Sequence, residues 1–99
     1  MQLKLTPRAR ADLDAIWDYS VRQWDEKQAE TYLASLGQTM QLLVENPGLG
    51  TKIDHVKNKC RKFPAASHLL IYKTTPDAIE IVRVLHKSRD IEAQITEML

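Results

Sequence analysis

Apolar positions along the 99-residue chain change their spacing twice, and the changes mark its elements. Leu3 and Leu5 alternate with Gln2 and Lys4, the period of a short strand that needs a partner later in the chain. Thr6-Pro7 follows. Thr6 is a favourable N-cap, and Pro7 suits the first helical position, where its missing N–H forfeits no helical bond. From there Leu13, Ile16, Trp17 and Trp24 recur near the helical period, with Ser20 in the gap and Val21 beside it. Tyr19 falls off this stripe, toward a seam or a partner, and Asp12, Asp18 and Arg22 are expected to face water. Asp25-Glu26-Lys27-Gln28 has the form of a capping box led by Asp, so a second helix starts almost where the first ends. Its stripe is Ala29, Tyr32, Leu33, Leu36, Met40, Leu43 and Val44, and Asn46-Pro47-Gly48 stops it. So short a connection predicts an antiparallel helical hairpin, in which Gly37 offers close packing at a cost of about 1 kcal/mol relative to Ala. The aromatic residues of this hairpin read as core and seam residues rather than a cofactor box.

From Cys60 the pattern becomes that of strands. Two β-rich runs, Ser67 to Thr74 and Ala78 to His86, flank Thr75-Pro76-Asp77, where Pro76 fixes φ and removes a donor as a turn requires. A register centred on that turn puts Leu69, Ile71, Ile79, Ile81 and Leu85 on one face, with Arg83 near its end. His68, Leu70, Tyr72, Glu80, Val82, Val84 and His86 share the other. The first face is a core; the second is mixed and suits a partner. A short lead-in strand precedes the hairpin, and Ile91, Ile95 and Met98 or Leu99 predict a brief C-terminal helix. The order is β-αα-βββ with that short tail helix: an α+β fold in which a small, mainly antiparallel sheet packs against an antiparallel helical hairpin, as one domain over residues 1–99.

Composition narrows the setting. A single cysteine, Cys60, excludes an internal disulfide framework and favours a reducing compartment. The opening residues contain no apolar signal segment, and no later run approaches the roughly 18 apolar residues of a membrane span. The expectation is a soluble, unexported, cytoplasmic protein. The net charge of +1 conceals an asymmetry. Residues 1–51 carry five Lys or Arg against seven Asp or Glu, whereas residues 52–99 carry nine against six. Much of the excess lies between Lys52 and Lys73, including the loop Gly48 to Asn58. That surface attracts a nucleic acid, an acidic protein or an acidic peptide, or is simply a solvated loop.

Conventional chemistry is missing from the motifs. His55, His68 and His86 lack ligand spacing, one cysteine makes no zinc pattern, and Gly48 and Gly50 form no phosphate cradle, so neither a metal nor a cofactor is expected. One constellation survives: Arg61, Arg83, His86, Lys87 and Arg89 lie at strand positions or just past a strand end, where they can converge on an anion. They can serve an RNA phosphate, with His86 as general acid or base, or an acidic protein surface with no chemistry at all. Equally, Arg83 can pair with a carboxylate such as Glu80 or Asp90 while His86 caps the sheet. The residues alone leave these three open.

Taken together, certain residues resemble a known family. Asp12-Leu13, Ile16-Trp17, Tyr19 and Trp24 in the first helix, Pro47 and Gly50 after the second, and Arg61, Pro64, His68, Tyr72, Ile81, Arg83, Leu85-His86 and Asp90 in the sheet resemble the ParE branch of the RelE/ParE toxins of bacterial type II toxin–antitoxin modules. The resemblance spans nearly the whole chain and is most specific in the His68 to Tyr72 strand joined with Arg83 to His86 and Asp90. It implies the β-αα-βββ fold and a cognate, ParD-like antitoxin, whose C-terminal segment folds onto the toxin and whose N-terminal domain binds operator DNA. Leu70, Val82 and Val84 would form the apolar floor for that segment, with Tyr72 among its contacts and Arg61, Arg83 and Lys73 meeting its carboxylates. It further implies a non-catalytic inhibitor that traps DNA gyrase on cleaved DNA, with Arg61, Arg83, His86, Lys87 and Arg89 as target-binding candidates. The RelE branch cuts mRNA on the ribosome; in that alternative Arg61, Arg83 and His86 would be the catalytic candidates. The tail after Arg89 lacks the late Tyr or His that those nucleases often place there. A toxin-like chain without activity, serving as antitoxin partner and co-repressor, is a third reading.

Overall fold

Thr6 begins the first helix as its position predicts: its hydroxyl accepts from the Ala9 N–H, Pro7 occupies the first turn, and α1 runs Pro7–Gln23. Asp25 does the same for α2, Glu26–Glu45, accepting from the Gln28 N–H, and Asn46 ends it by donating from both backbone and side chain to the Leu42 carbonyl. These capping bonds satisfy donors and acceptors that a bare helix end leaves open. The computed structural model describes residues 1–53, 59–88 and 91–97.

The strands are β1 Gln2–Leu5, β2 Thr51–Lys52, β3 Arg61–Ala65, β4 His68–Thr74 and β5 Ala78–His86, and a short helix α3 spans Ile91–Glu97. They form one sheet in the order β1-β5-β4-β3-β2. All pairs are antiparallel except β1 with β5, which is parallel and sets Leu3 beside Ile79 and Leu5 beside Ile81. The expected architecture is therefore present, with β2 as a two-residue addition at the edge.

The two faces differ from the expected register. Thr74 pairs with Ile79 rather than Ala78, which moves Ile79 and Ile81 to the face of Leu70 and Tyr72. One residue farther along, Val82 is an extra residue in β5: Tyr72 pairs with Ile81 and Ile71 with Arg83. This bulge returns Leu85 to the face of Leu69 and Ile71 and keeps Val84 and His86 with Leu70 and His68. The inner face, carrying Leu70, Tyr72, Ile79, Ile81 and Val84, packs against Ala9 and Ile16 of α1 and Leu36, Met40 and Leu43 of α2. Leu70, Tyr72 and Val84, expected to floor a partner's seat, are thus buried beneath the chain's own helices. On the outer face a smaller cluster of Ile53, Cys60, Ile71, Leu85 and Ile95 is flanked by half-buried Leu69 and Val82. Burial raises the Cys60 thiol above its ordinary value, with Lys73 opposing and Glu80 adding to the effect.

Two further expectations are corrected. Trp24 does not join the α1 stripe; it caps the helix with φ −125° and ψ −101°, leaves the helical phase and is 52% exposed. A Cβ on Gly37 would touch nothing within 4 Å, so that glycine serves no close approach of the helices. No helix among the described residues is long and apolar enough to cross a membrane.

Candidate functional site

Beyond Leu5 no strand among the described residues lies along the edge of β5, and α1 takes over. The Thr6 hydroxyl donates to the Val82 carbonyl. Six residues on, Asp12 receives three hydrogen bonds: from Arg83 Nε (2.8 Å), Arg83 Nη2 (3.0 Å) and the Val84 N–H (2.9 Å). The bidentate pair is largely shielded, and its hydrogen bonds push the Arg83 guanidinium further up, with burial opposing less strongly. Asp12, expected in water, is therefore a clasp between helix and sheet edge; Arg83 pairs with it, Glu80 pairs with Lys73, and Asp90 lies outside the described residues.

Arg61 works on the other side of β4, at the start of β3. It donates to the carbonyls of Gly50 (2.7 Å) and Gly48 (3.3 Å), anchoring the loop that leaves α2. Beside it the fully buried Tyr72 accepts from the Gly50 N–H and donates to the Pro47 carbonyl. This approach is close enough that a Cβ on Gly50 would lie 2.6 Å from Tyr72 Oη and 2.9 Å from the Lys62 carbonyl oxygen, which is why glycine stands there.

His86 lies at the end of β5 remote from that loop. Its Nδ1 accepts from the Ser88 N–H and lies 2.6 Å from the Ser88 hydroxyl; its ring meets that of His68 edge-on, centroids 5.0 Å apart. His68 is buried, and its Nδ1 shares a 2.6 Å hydrogen bond with Tyr32 Oη, which also accepts from the Ser67 N–H. Burial first, then His86, lowers the His68 pKa to about 4, against a smaller opposing influence of Asp12, so His68 is neutral near pH 7. Trp24 completes the row by tilting against Tyr32 at 6.3 Å. These side chains border a cleft of about 470 Å³ between α1 and the end of β5, with Ile16 and Val84 also lining it and Tyr19, 60% exposed, on its helix side. Among the described residues no three His, Cys, Asp or Glu side chains stand together as a metal site would need.

Comparison with known proteins gives this geometry a setting. The family model described as ParE toxin of type II toxin-antitoxin system, parDE, matches residues 3–91. The chain belongs to the ParE toxin family. A protein named Toxin ParE1 from Caulobacter vibrioides is 36% identical over 92 residues, covering 93% of this chain and 95% of that protein. Toxin ParE1 of Mycobacterium tuberculosis is 37% identical over 92 residues, covering 92% and 94%. A solved structure titled chromosomal ParDE TA system from P. aeruginosa superposes with a TM-score of 0.74 at 27% identity, over 87% of this chain and 95% of that one.

In this ParE-family chain the residues expected to converge do so only in part: Arg83 and His86 line the same cleft, and Arg61 lies apart from it. Arg61 is bound to the loop after α2, Arg83 to Asp12, and His86 to Ser88, while Lys87 is exposed just past β5. Arg89 and Asp90, the loop residues 54–58 with His55 and Lys57, and Met98 and Leu99 lie outside the described residues. Of the expected antitoxin contacts, Val82 and Lys73 stand on the outer sheet face, where Lys73 pairs with Glu80 at 3.2 Å. The sequence reading passed over the roles of Asp12, Tyr32 and Ser88. Asp12 spaced one turn before Ile16, on the flank of the apolar stripe, was the available signal for the first; Ser88 two residues after His86 carried none.

Proposed function

We propose that this chain is the toxin of a type II module, that it acts in the cytoplasm by trapping DNA gyrase on cleaved DNA, and that a cognate antitoxin neutralises it. The observation that carries the reading is the family match along residues 3–91. The antitoxin's acidic, amphipathic segment is matched to the outer sheet face, where Leu69 and Val82 are half-buried and Lys62 and Lys73 flank them. Operator DNA is then met through the antitoxin. The engagement of Arg61 and Arg83 supports an inhibitor over a nuclease: both are committed to holding the fold, Arg61 on the loop after α2 and Arg83 on Asp12, on opposite sides of β4. Purified protein with gyrase, ATP and supercoiled plasmid is expected to yield protein-linked double-strand breaks, with mRNA left intact on ribosomes. Cleaved mRNA with undisturbed plasmid would reverse the assignment. Antitoxin binding unaffected by Val82→Asp would remove the outer face from it.

A further inference from the structure

The two edges of the sheet are finished differently. At one edge β2 pairs with Arg61 and Lys62 of β3, and farther along β3 stands Pro64, which has no N–H to offer another strand. At the other edge is β1, which carries neither a proline nor a bulge. Its hydrogen-bonding phase follows from its two ends: the Gln2 N–H donates to the Asp77 carbonyl and the Thr6 N–H to the Ile81 carbonyl. In a parallel ladder alternate residues turn their backbone groups to the same neighbour, so Gln2, Lys4 and Thr6 face β5. Leu3 and Leu5 therefore turn N–H and C=O to the open edge, where no strand among the described residues lies. Such a row is a template for one more strand.

The side chains of β1 state what that strand must carry. Leu3 and Leu5 are half-buried at the fringe of the inner core, so apolar side chains beside them extend its cover. Lys4, between them, is exposed and belongs to the outer face. Its neighbour across the ladder is Glu80, which in turn pairs with Lys73 of β4 at 3.2 Å. Lys73, Glu80 and Lys4 thus form a row of alternating sign, and the open position beyond Lys4 calls for an acid. A second copy fails this requirement. The antiparallel register that uses the outward groups of both Leu3 and Leu5 sets one Lys4 directly against the other, in the kind of pair where side chains stand closest.

We infer that the β1 edge accepts an extended segment of the antitoxin as an added strand, with an acidic side chain beside Lys4 and apolar ones beside Leu3 and Leu5. This rests on the reading above, in which an antitoxin with an acidic, amphipathic segment binds the outer sheet face. Main-chain bonds at the edge add affinity, and Lys4 selects the acid.

The test follows backbone amide exchange by NMR in the full-length chain, alone and bound to the full-length antitoxin encoded beside it, together with the antitoxin affinities of Lys4→Glu and Lys4→Ala. In the free chain the Leu3 and Leu5 amides are expected to exchange at least tenfold faster than the Lys4 amide, which the ladder holds; in the complex both are expected to slow at least tenfold. Lys4→Glu is expected to weaken antitoxin binding by about tenfold or more, and Lys4→Ala by about threefold, so the second carries the affinity measurement if the first melts early. Leu3 and Leu5 amides that exchange as fast in the complex as in the free chain overturn the inference, as does wild-type affinity in both variants. Protection that appears in the free chain and grows with its concentration would give the edge to a second copy instead. Normal binding of Val82→Asp with Leu3 and Leu5 protected would remove the outer face and keep the edge. A wild type that binds no antitoxin would remove the reading and the inference together.

Discussion

Each end of the sheet is tied to α2 through a tyrosine hydroxyl, and the two ties are built differently. At the loop end Tyr72 is fully buried, and its hydroxyl bridges two backbone groups, the Gly50 N–H and the Pro47 carbonyl. At the cleft end Tyr32 is half-buried, and its hydroxyl bridges the exposed Ser67 N–H and a histidine. Neither partner of Tyr72 titrates; His68 does. The loop end is thus a fixed joint insensitive to solvent, whereas the cleft end is open to water and to pH. That is the end where exposed aromatic rings gather.

The largest expected effect tests the fixed joint. Tyr72→Phe keeps the ring and removes the hydroxyl, leaving a buried donor and a part-buried acceptor without a partner, at a cost of about 3 to 4 kcal/mol for the two. Tyr32→Phe frees the Ser67 N–H, which water can reach, and His68 Nδ1 at the cleft, and is expected to cost less, about 2 kcal/mol. Urea denaturation of the two variants measures the difference directly. Equal losses would show that the ends are held alike.

Acid tests the other end. In the unfolded chain His68 titrates near 6.5, and in the folded protein near 4, so the unfolded state takes up the proton first. The stability that comes from keeping His68 neutral is complete above pH 6.5 and is lost as pH falls toward 4. The loss is up to about 3 kcal/mol over that interval, at roughly 1.4 kcal/mol per pH unit. His68→Gln is expected to flatten this part of the profile relative to wild type, a comparison that removes the contribution of the carboxylates. An NMR titration placing His68 near 6.5 in the folded protein would abolish the predicted slope.

These contrasts show what the sequence could and could not convey. Thr6, Asp25 and Asn46 announced the helix ends because capping is a local matter, decided within four residues. The strand limits were equally legible, since Pro76 and the β-branched runs act through their own backbone. The faces of the hairpin were not: pairing Thr74 with Ile79, and the extra residue Val82, depend on what the helices cover, and a shift of one residue exchanges every face before the bulge. Long-range polar pairs were hidden for the same reason. Nothing near Arg83 in sequence distinguishes Asp12, 71 residues away, from the closer carboxylates. The spatial cleft likewise draws Tyr19 and Trp24 from the end of one helix and His86 from the end of a distant strand.

The smallest effect sharpens the comparison through its two turns. At the loop end, glycine is needed for space: Gly50 has no positive φ, but Tyr72 and the Lys62 carbonyl leave no room for a Cβ. At the cleft end the reverse holds, for Ala66 is exposed and sits at φ 54°, a conformation glycine adopts without a Cβ penalty. The left-handed backbone costs Ala roughly 1 to 2 kcal/mol, and the freedom that glycine adds to the unfolded chain returns part of that gain. Ala66→Gly is therefore expected to stabilise the protein by about 0.5 kcal/mol, read as a raised urea midpoint with unchanged slope. Because Ala66 immediately precedes Ser67, whose N–H reaches Tyr32, the gain should shrink in a Tyr32→Phe background, where that turn is no longer held. An identical gain in both backgrounds would mean that the turn keeps its shape without the tyrosine, and that Tyr32 serves the histidine alone.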